Sequence, residues 1–360
     1  MGTQNFENSV VPTQRRRTPK VRLLATCVCG VILALMLVVA ASGQVTGQYI
    51  SFDAPNAGTG INQGTYPNAI NGHGWIGGTV VYSTGASHGF LRQQSGSFIA
   101  VDAPGAAQTW VSAINASNES VGYYFGATCT CGFFRDAAGT YTEFSYTGAD
   151  TTSPSGVNSN GLVSGYEHDG TGYHGFLWSA SRGFTVFDVP GSVPGSTLVF
   201  AINDAGAVTG TYVDSSYYSH VYIRSANGHF TTFEPVYGGT HSNAAAINTS
   251  GEITGWGDDG MGDTYGFIAN AHRADEVFAV AGSPGTDGTA INDSGVVVGY
   301  GFSDAGGNFS FERETDGTIN VLSLPFSNTA NQPTGINRLG DVVGYYTDSA
   351  GANHGWVGVP

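Results

Sequence analysis

Lysine is almost absent from this 360-residue chain: the single Lys20 lies in the first 43 residues and none follows. Beyond residue 43, seven arginines stand against 26 carboxylates, a net charge of −19 with histidine neutral. A surface of that sign repels phosphate backbones and anionic headgroups, which argues against nucleic acid and leaves cations, neutral sugars and proteins as partners. Cysteine is scarce too. Two of the four, Cys27 and Cys29, precede residue 43, so only Cys129 and Cys131 remain and disulfides cannot be the framework of the fold. Charged residues make up only 11%, whereas there are 55 glycines, 18 tyrosines and 20 phenylalanines. That balance suits many short strands joined by tight turns and suits neither helices nor disorder.

The one long apolar run is Leu23 to Ala41, preceded by Arg15, Arg16, Arg17, Lys20 and Arg22 and followed by Ser42 and Gly43. Residues 1–43 therefore read as a secretory signal peptide cut near Ser42 or Gly43. Nineteen apolar residues can also span a bilayer, so an uncut inner-membrane anchor through residues 23–41 is the alternative. Either way the remainder, 44–360, is expected outside the cytoplasm: extracellular, periplasmic or on the cell envelope.

That remainder is repetitive. Asn71, Asn115, Asn158, Asn203, Asn248, Asn292 and Asn337 recur every 43 to 45 residues. Each follows a β-branched residue, and two places before it stands Ala or Gly: Ala69, Ala113, Gly156, Ala201, Ala246, Ala290, Gly335. Three places after it comes Gly, or Asn118 in one unit, the residue types that accept positive φ; this predicts a short hairpin turn with one left-handed residue. Seven places after it Gly is invariant, from Gly78 to Gly344, which predicts close approach of a neighbouring chain within a strand. A third strand is centred on Phe90, Phe133, Phe176, Tyr222, Phe267, Phe311 or Trp356, and a fourth carries Phe98, Tyr141, Phe184, Phe230, Phe278 or Ile319.

Four short strands at a period near 44 match the blades of a β-propeller. The expected fold is all-β: seven four-stranded antiparallel blades, the small residue before each β-branched position fitting where seven backbones converge on the axis. The last unit ends at Trp356 and Val357 without a fourth strand, while Tyr49-Ile50-Ser51-Phe52-Asp53-Ala54-Pro55 reads like Phe98-Ile99-Ala100-Val101-Asp102-Ala103-Pro104. The N-terminal segment is thus expected to complete the seventh blade and seal a monomeric ring.

At His88-Gly89-Phe90, His174-Gly175-Phe176 and His354-Gly355-Trp356, following the Ile-Asn-x-x-Gly and Val-x-Gly-Tyr elements, the chain resembles a family of bacterial extracellular repeat proteins named for a His-Ala-Phe (HAF) tripeptide. The resemblance covers nearly all of 44–360 and implies export and a repeat fold, with no catalytic residues to carry over. Cys131, His220-Val221-Tyr222, Tyr265 and Phe309 depart from its pattern.

The histidines His88, His174, His220 and His354 lie on different units, so hydrogen bonding is their expected role and metal ligation is not. Asp53, Asp102 and Asp188, each two residues before proline, read as turn caps. Cys129 and Cys131, two apart, are either a disulfide at a turn or free thiols. The second-to-third and fourth-to-first connections vary in length and emerge on one face, the expected recognition surface. It carries Trp110, Tyr217, Tyr218, Tyr237 and His241 as candidate ligand contacts, and Asp169, Asp214, Asp258, Asp259, Asp263, Asp304 and Asp348 as loop acids. Among these, Asp258, Asp259 and Asp263 form the densest oxygen cluster and are the candidate calcium ligands, with no other cofactor implied. The leading expectation is a non-catalytic module binding a glycan or an extracellular protein. The alternatives are a polysaccharide lyase or hydrolase with an axial site, in which His241, Asp258 or Asp259 would act, and a structural envelope or matrix protein.

Overall fold

The computed structural model describes residues 43–44, 48–236, 238–303, 307–326 and 330–360. The leader assigned to residues 1–43 lies outside these except for Gly43, as do Tyr237 and Asp304. The described residues are all strand, turn and loop, and among them no helix is long and apolar enough to cross a membrane.

Each repeat folds as an antiparallel sheet in simple up-and-down order. In the first, Gly64–Ile70 pairs with Ile76–Val81, which pairs with Ser87–Arg92, which pairs with Phe98–Val101. The pattern recurs through the unit built on Ala330–Ile336, Val342–Thr347 and Asn353–Val359. There the fourth place is taken by Gln48–Phe52, in register from Gln48 opposite Val359 to Phe52 opposite Gly355. Gly43–Gln44 adds a short parallel edge to Ile319–Val321 of the sixth unit.

The repeated glycines have the geometry their spacing predicts. Gly74, Gly161, Gly206, Gly251, Gly295 and Gly340 all have φ between 70° and 87°, and Asn118 stands at 61°. In every unit the first strand bulges at the residue just before the small one, as at Phe200 between Val199 and Ala201. The bulge pushes the carbonyl of Leu198 against Gly210, where a Cβ would overlap it; Gly122, Gly255 and Gly299 meet the same obstacle.

Contacts between units carry the core. Val111, Ile114 and Phe133 of the second unit pack on Leu91 and Val101 of the first. Ile76 and Phe90 of the first unit pack on Val343 and Val357 of the last. The small residue near the end of each first strand lies against its successor: Gly156 faces Ile202, and Gly335 faces Ile70.

The repeated asparagine explains its own recurrence. Asn71 Oδ1 accepts the backbone N–H of His73 and Trp75, closing its own turn. Its Nδ2 donates to the carbonyl of Asn115, 2.9 Å away. The relay continues from Asn115 to Asn158, Asn158 to Asn203, Asn203 to Asn248, Asn248 to Asn292 and Asn292 to Asn337. Asn337 then donates to the carbonyl of Asn71 at 3.1 Å. All seven asparagines are buried. A cavity of about 260 Å³ beside them is lined by residues from every repeat, including Ile70, Ala116, Val157, Ile202, Ile247, Ile291 and Ile336.

Candidate functional site

First strands run toward the asparagine turns, so their opening residues lie at the other end, beside the variable connections. The residue five before each asparagine pairs across the sheet with the residue eight after it, so the two side chains share a face. These pairs include Trp110 with Tyr123, Ser153 with Tyr166, Asn243 with Trp256, Asp287 with Tyr300 and Gln332 with Tyr345. Trp110 stacks on Tyr123 with ring centroids 5.0 Å apart. Neighbouring units also meet here, the Tyr66 and Tyr345 rings lying 5.4 Å apart, and within the seventh unit Tyr345 donates to Gln332 Oε1. The result is an aromatic rim drawn from several repeats at the end of the first strands remote from the asparagine relay.

A groove of about 390 Å³ opens in this rim across the fourth to sixth units, lined by Phe200, Asn243, Trp256, Asp287 and Tyr300 with backbone near Gly288. Burial raises the Asp287 carboxyl, although hydrogen bonds with Tyr300 and Thr264 partly offset the rise. Burial also raises the Tyr300 phenol, and the Asp287 charge raises it further. Tyr123 is raised by burial and by nearby Tyr166. The groove thus joins flat aromatic faces to phenol, amide and carboxyl groups, the equipment for stacking on and hydrogen-bonding to a sugar ring. Of its residues, Trp256, Asp287 and Tyr300 were not singled out in the sequence. For Trp256 and Tyr300 the signal was an aromatic residue following the invariant glycine, as in Tyr123, Tyr166, Trp256, Tyr300 and Tyr345; Asp287 carried none.

The candidates read from the sequence fall in three places. Trp110 belongs to the aromatic rim. Tyr217 and Tyr218 cap the second-to-third connection of the fourth unit, both exposed, with Tyr217 at φ 65° and Asp214 Oδ1 accepting the N–H of Ser216 and Tyr218. Ser219, beside them, pairs in parallel with His241 at the start of the fifth unit. His241 Nδ1 in turn lies 3.1 Å from Asp258 Oδ2. Burial alone would raise the Asp258 carboxyl, but the N–H groups of Thr240 and Gly260, together with His241, hold it below its ordinary value. Asp259 Oδ1 accepts the N–H of Met261, Gly262 and Asp263, so it caps its own loop.

The tripeptide histidines are hydrogen-bonded within their sheets. Nδ1 of His88 meets Asp102, that of His174 meets Asp188, and that of His354 meets Asp53, all at 2.9 Å. The last pair joins the N-terminal strand to the C-terminal one. Asp53, Asp102 and Asp188 therefore engage histidines, and the turn that follows is capped by a buried threonine or its equivalent. Thr65 Oγ1 accepts from Ala54 N, Thr109 from Ala103 N and Thr197 from Val189 N. Cys129 and Cys131 form a disulfide where the second-to-third connection enters the third strand, their Cα atoms 5.4 Å apart, with Cys131 in the place that four of the other units give to histidine.

No family model and no curated protein matches the chain, but solved structures do. It is similar to a streptogramin B lyase at 15% identity and a TM-score of 0.56, covering 86% of this chain and 97% of that one. It is similar to the β-propeller domain of the Trilobed protease from Pyrococcus furiosus at 13% identity and a TM-score of 0.56, covering 82% and 94%. A prolyl endopeptidase matches at 13% identity and a TM-score of 0.58, covering 82% of this chain and 50% of that one. At such identities the likeness concerns the fold, and the fold is that of β-propellers. The Pyrococcus domain is described as having an open velcro topology, so closure of this chain has to be argued from its own contacts.

Proposed function

We propose that residues 44–360 form a closed seven-bladed propeller, exported from the cytoplasm, that binds a neutral glycan without transforming it. Closure and blade number are supported by the asparagine relay, which returns from Asn337 to Asn71, and by the pairing of Gln48–Phe52 with Asn353–Val359. Export is supported by the basic and apolar leader of residues 1–43 and by the resemblance to extracellular repeat proteins.

The observation that carries the binding reading is the aromatic groove at Trp256 and Tyr300, on the face where loop length varies. Its single carboxyl, Asp287, is mostly buried and suits hydrogen bonding to hydroxyls better than pairing with a cation. Tyr217 and Tyr218 extend the contact surface at the rim of the same face. A panel of neutral and acidic polysaccharides run by affinity electrophoresis tests the reading. Retardation in a neutral gel that Trp256→Ala and Tyr300→Ala reduce at least tenfold is the expected result. Retardation by none of the panel, or retardation that both variants leave intact, rejects it.

The second reading, a lyase or hydrolase, draws on the hydrogen-bonded Asp287 and Tyr300, a carboxyl and phenol in one groove. Release of new reducing ends or unsaturated products from the same panel, abolished by Asp287→Asn, would favour it over simple binding.

A further inference from the structure

One unit differs from its sisters beneath the tripeptide histidine. Where the first, fourth and seventh units carry Val80, Tyr212 and Tyr346, the third carries Glu167. Glu167 lies directly across the sheet from His174, and Asp169, two residues on, shares its face. The side chains offer three ligand atoms, all within 4.8 Å of one another. Glu167 is only 1% exposed, and its Oε2 is buried with no hydrogen-bond partner. A carboxylate left so is costly to bury unless a positive charge meets it. The seventh unit is the internal control: His354 also lies between two carboxylates, Asp53 and Asp348, but Tyr346 stacks on it where Glu167 would stand.

We infer that Glu167, Asp169 and His174 form a binding site for a divalent first-row transition ion of the zinc or manganese class. His174 presents the right atom. Its Nδ1 lies 2.9 Å from Asp188 Oδ2, and a proton donated there leaves the Nε2 lone pair facing Asp169 at 3.6 Å. Such a carboxylate behind a ligating imidazole fixes its tautomer and raises its basicity. The Thr171 hydroxyl, 3.0 Å from Nε2 and 2.6 Å from Asp169 Oδ1, adds a neutral oxygen beside the cluster. An imidazole nitrogen among two carboxylates favours zinc or manganese over calcium. Asp169, His174 and Asp188 retain some exposure, so an ion can enter from solvent. This site is independent of the aromatic groove and of the calcium reading at Asp258, Asp259 and Asp263.

Calorimetric titration of the full-length, chelator-stripped protein with zinc, manganese and calcium chlorides tests the assignment. Saturable uptake of one equivalent of zinc or manganese is expected. Glu167→Gln, folded by circular dichroism, should weaken it at least tenfold; Asp188→Asn should weaken it about 10- to 100-fold; Asp258→Asn should leave it unchanged. The inference fails if neither transition ion saturates a site, if calcium alone does, or if affinity survives Glu167→Gln or is lost in Asp258→Asn.

Discussion

The amide of each repeated asparagine acts both as acceptor within its own turn and as donor to the next unit. Its oxygen closes a turn by accepting the backbone N–H four residues on, in most units also the N–H two residues on, as in Asn158, and its nitrogen satisfies a carbonyl of the next unit, so each unit's turn is joined to its neighbour's. Removing one such buried amide leaves several groups unpaired, at about 1–3 kcal/mol for each one left unsatisfied. A second residue-scale effect depends on pH. Burial, with Glu314 nearby, lifts the Glu312 carboxyl to about 7 from an ordinary 4.5, beside Tyr49 of the N-terminal strand. The folded state therefore holds a proton that the unfolded chain releases between these two values. Stability attributable to this group is full below about 4.5, declines as pH rises toward 7 and is flat beyond. Urea unfolding at pH 5 and pH 8 should show a loss on the order of 2 kcal/mol across that interval. Glu312→Gln should remove that part of the loss, and an identical pH dependence in the two proteins would refute the assignment.

At the scale of the element, the sheets are short and held in shape by their bulges. Gly210 lies opposite the bulge at Val199 and Ala201, with no room for a Cβ against the Leu198 carbonyl. Gly210→Ala should cost roughly 3 kcal/mol or more, since backbone on both strands would have to shift. A chemical-denaturation midpoint equal to that of the parent would show that the strand accommodates the methyl group. Much of this level was legible in the sequence. The left-handed turn residues, the invariant glycine and the aromatic third strand are local patterns repeated seven times, the stand-in strand at Tyr49 was legible by its likeness to the segment at Phe98, and repetition separates signal from accident. What escaped depends on contacts between segments far apart in the chain. The threonine caps at Thr65, Thr109 and Thr197 serve the preceding unit's last strand, and the aspartates at 53, 102 and 188 bond histidines on another strand. The groove at Trp256, Asp287 and Tyr300 arises only when three units are brought together. Glu167 was invisible for the opposite reason: it departs from the repeat, and a lone glutamate carries no pattern.

For the whole molecule, the core lies mainly between units and not within them. A single four-stranded sheet has little to bury alone, and each gains its stability by packing on two neighbours. In the proposed ring the first unit is also a neighbour of the last, through Ile76 and Phe90 against Val343 and Val357, and through Thr334 Oγ1 donating to the Pro67 carbonyl. The low lysine content and net negative charge belong to this scale too, setting what can approach the surface and leaving the ring's packing untouched. The central claim, that the two ends of the repeat array finish one sheet together, is tested most directly by deleting residues 44–55 and following thermal unfolding by circular dichroism. The account predicts one cooperative transition with its midpoint lowered by about 10 °C or more, since losing the strand opposite Gly355 to Val359 exposes the seam between the seventh and first units. A midpoint equal to that of the intact protein would contradict it.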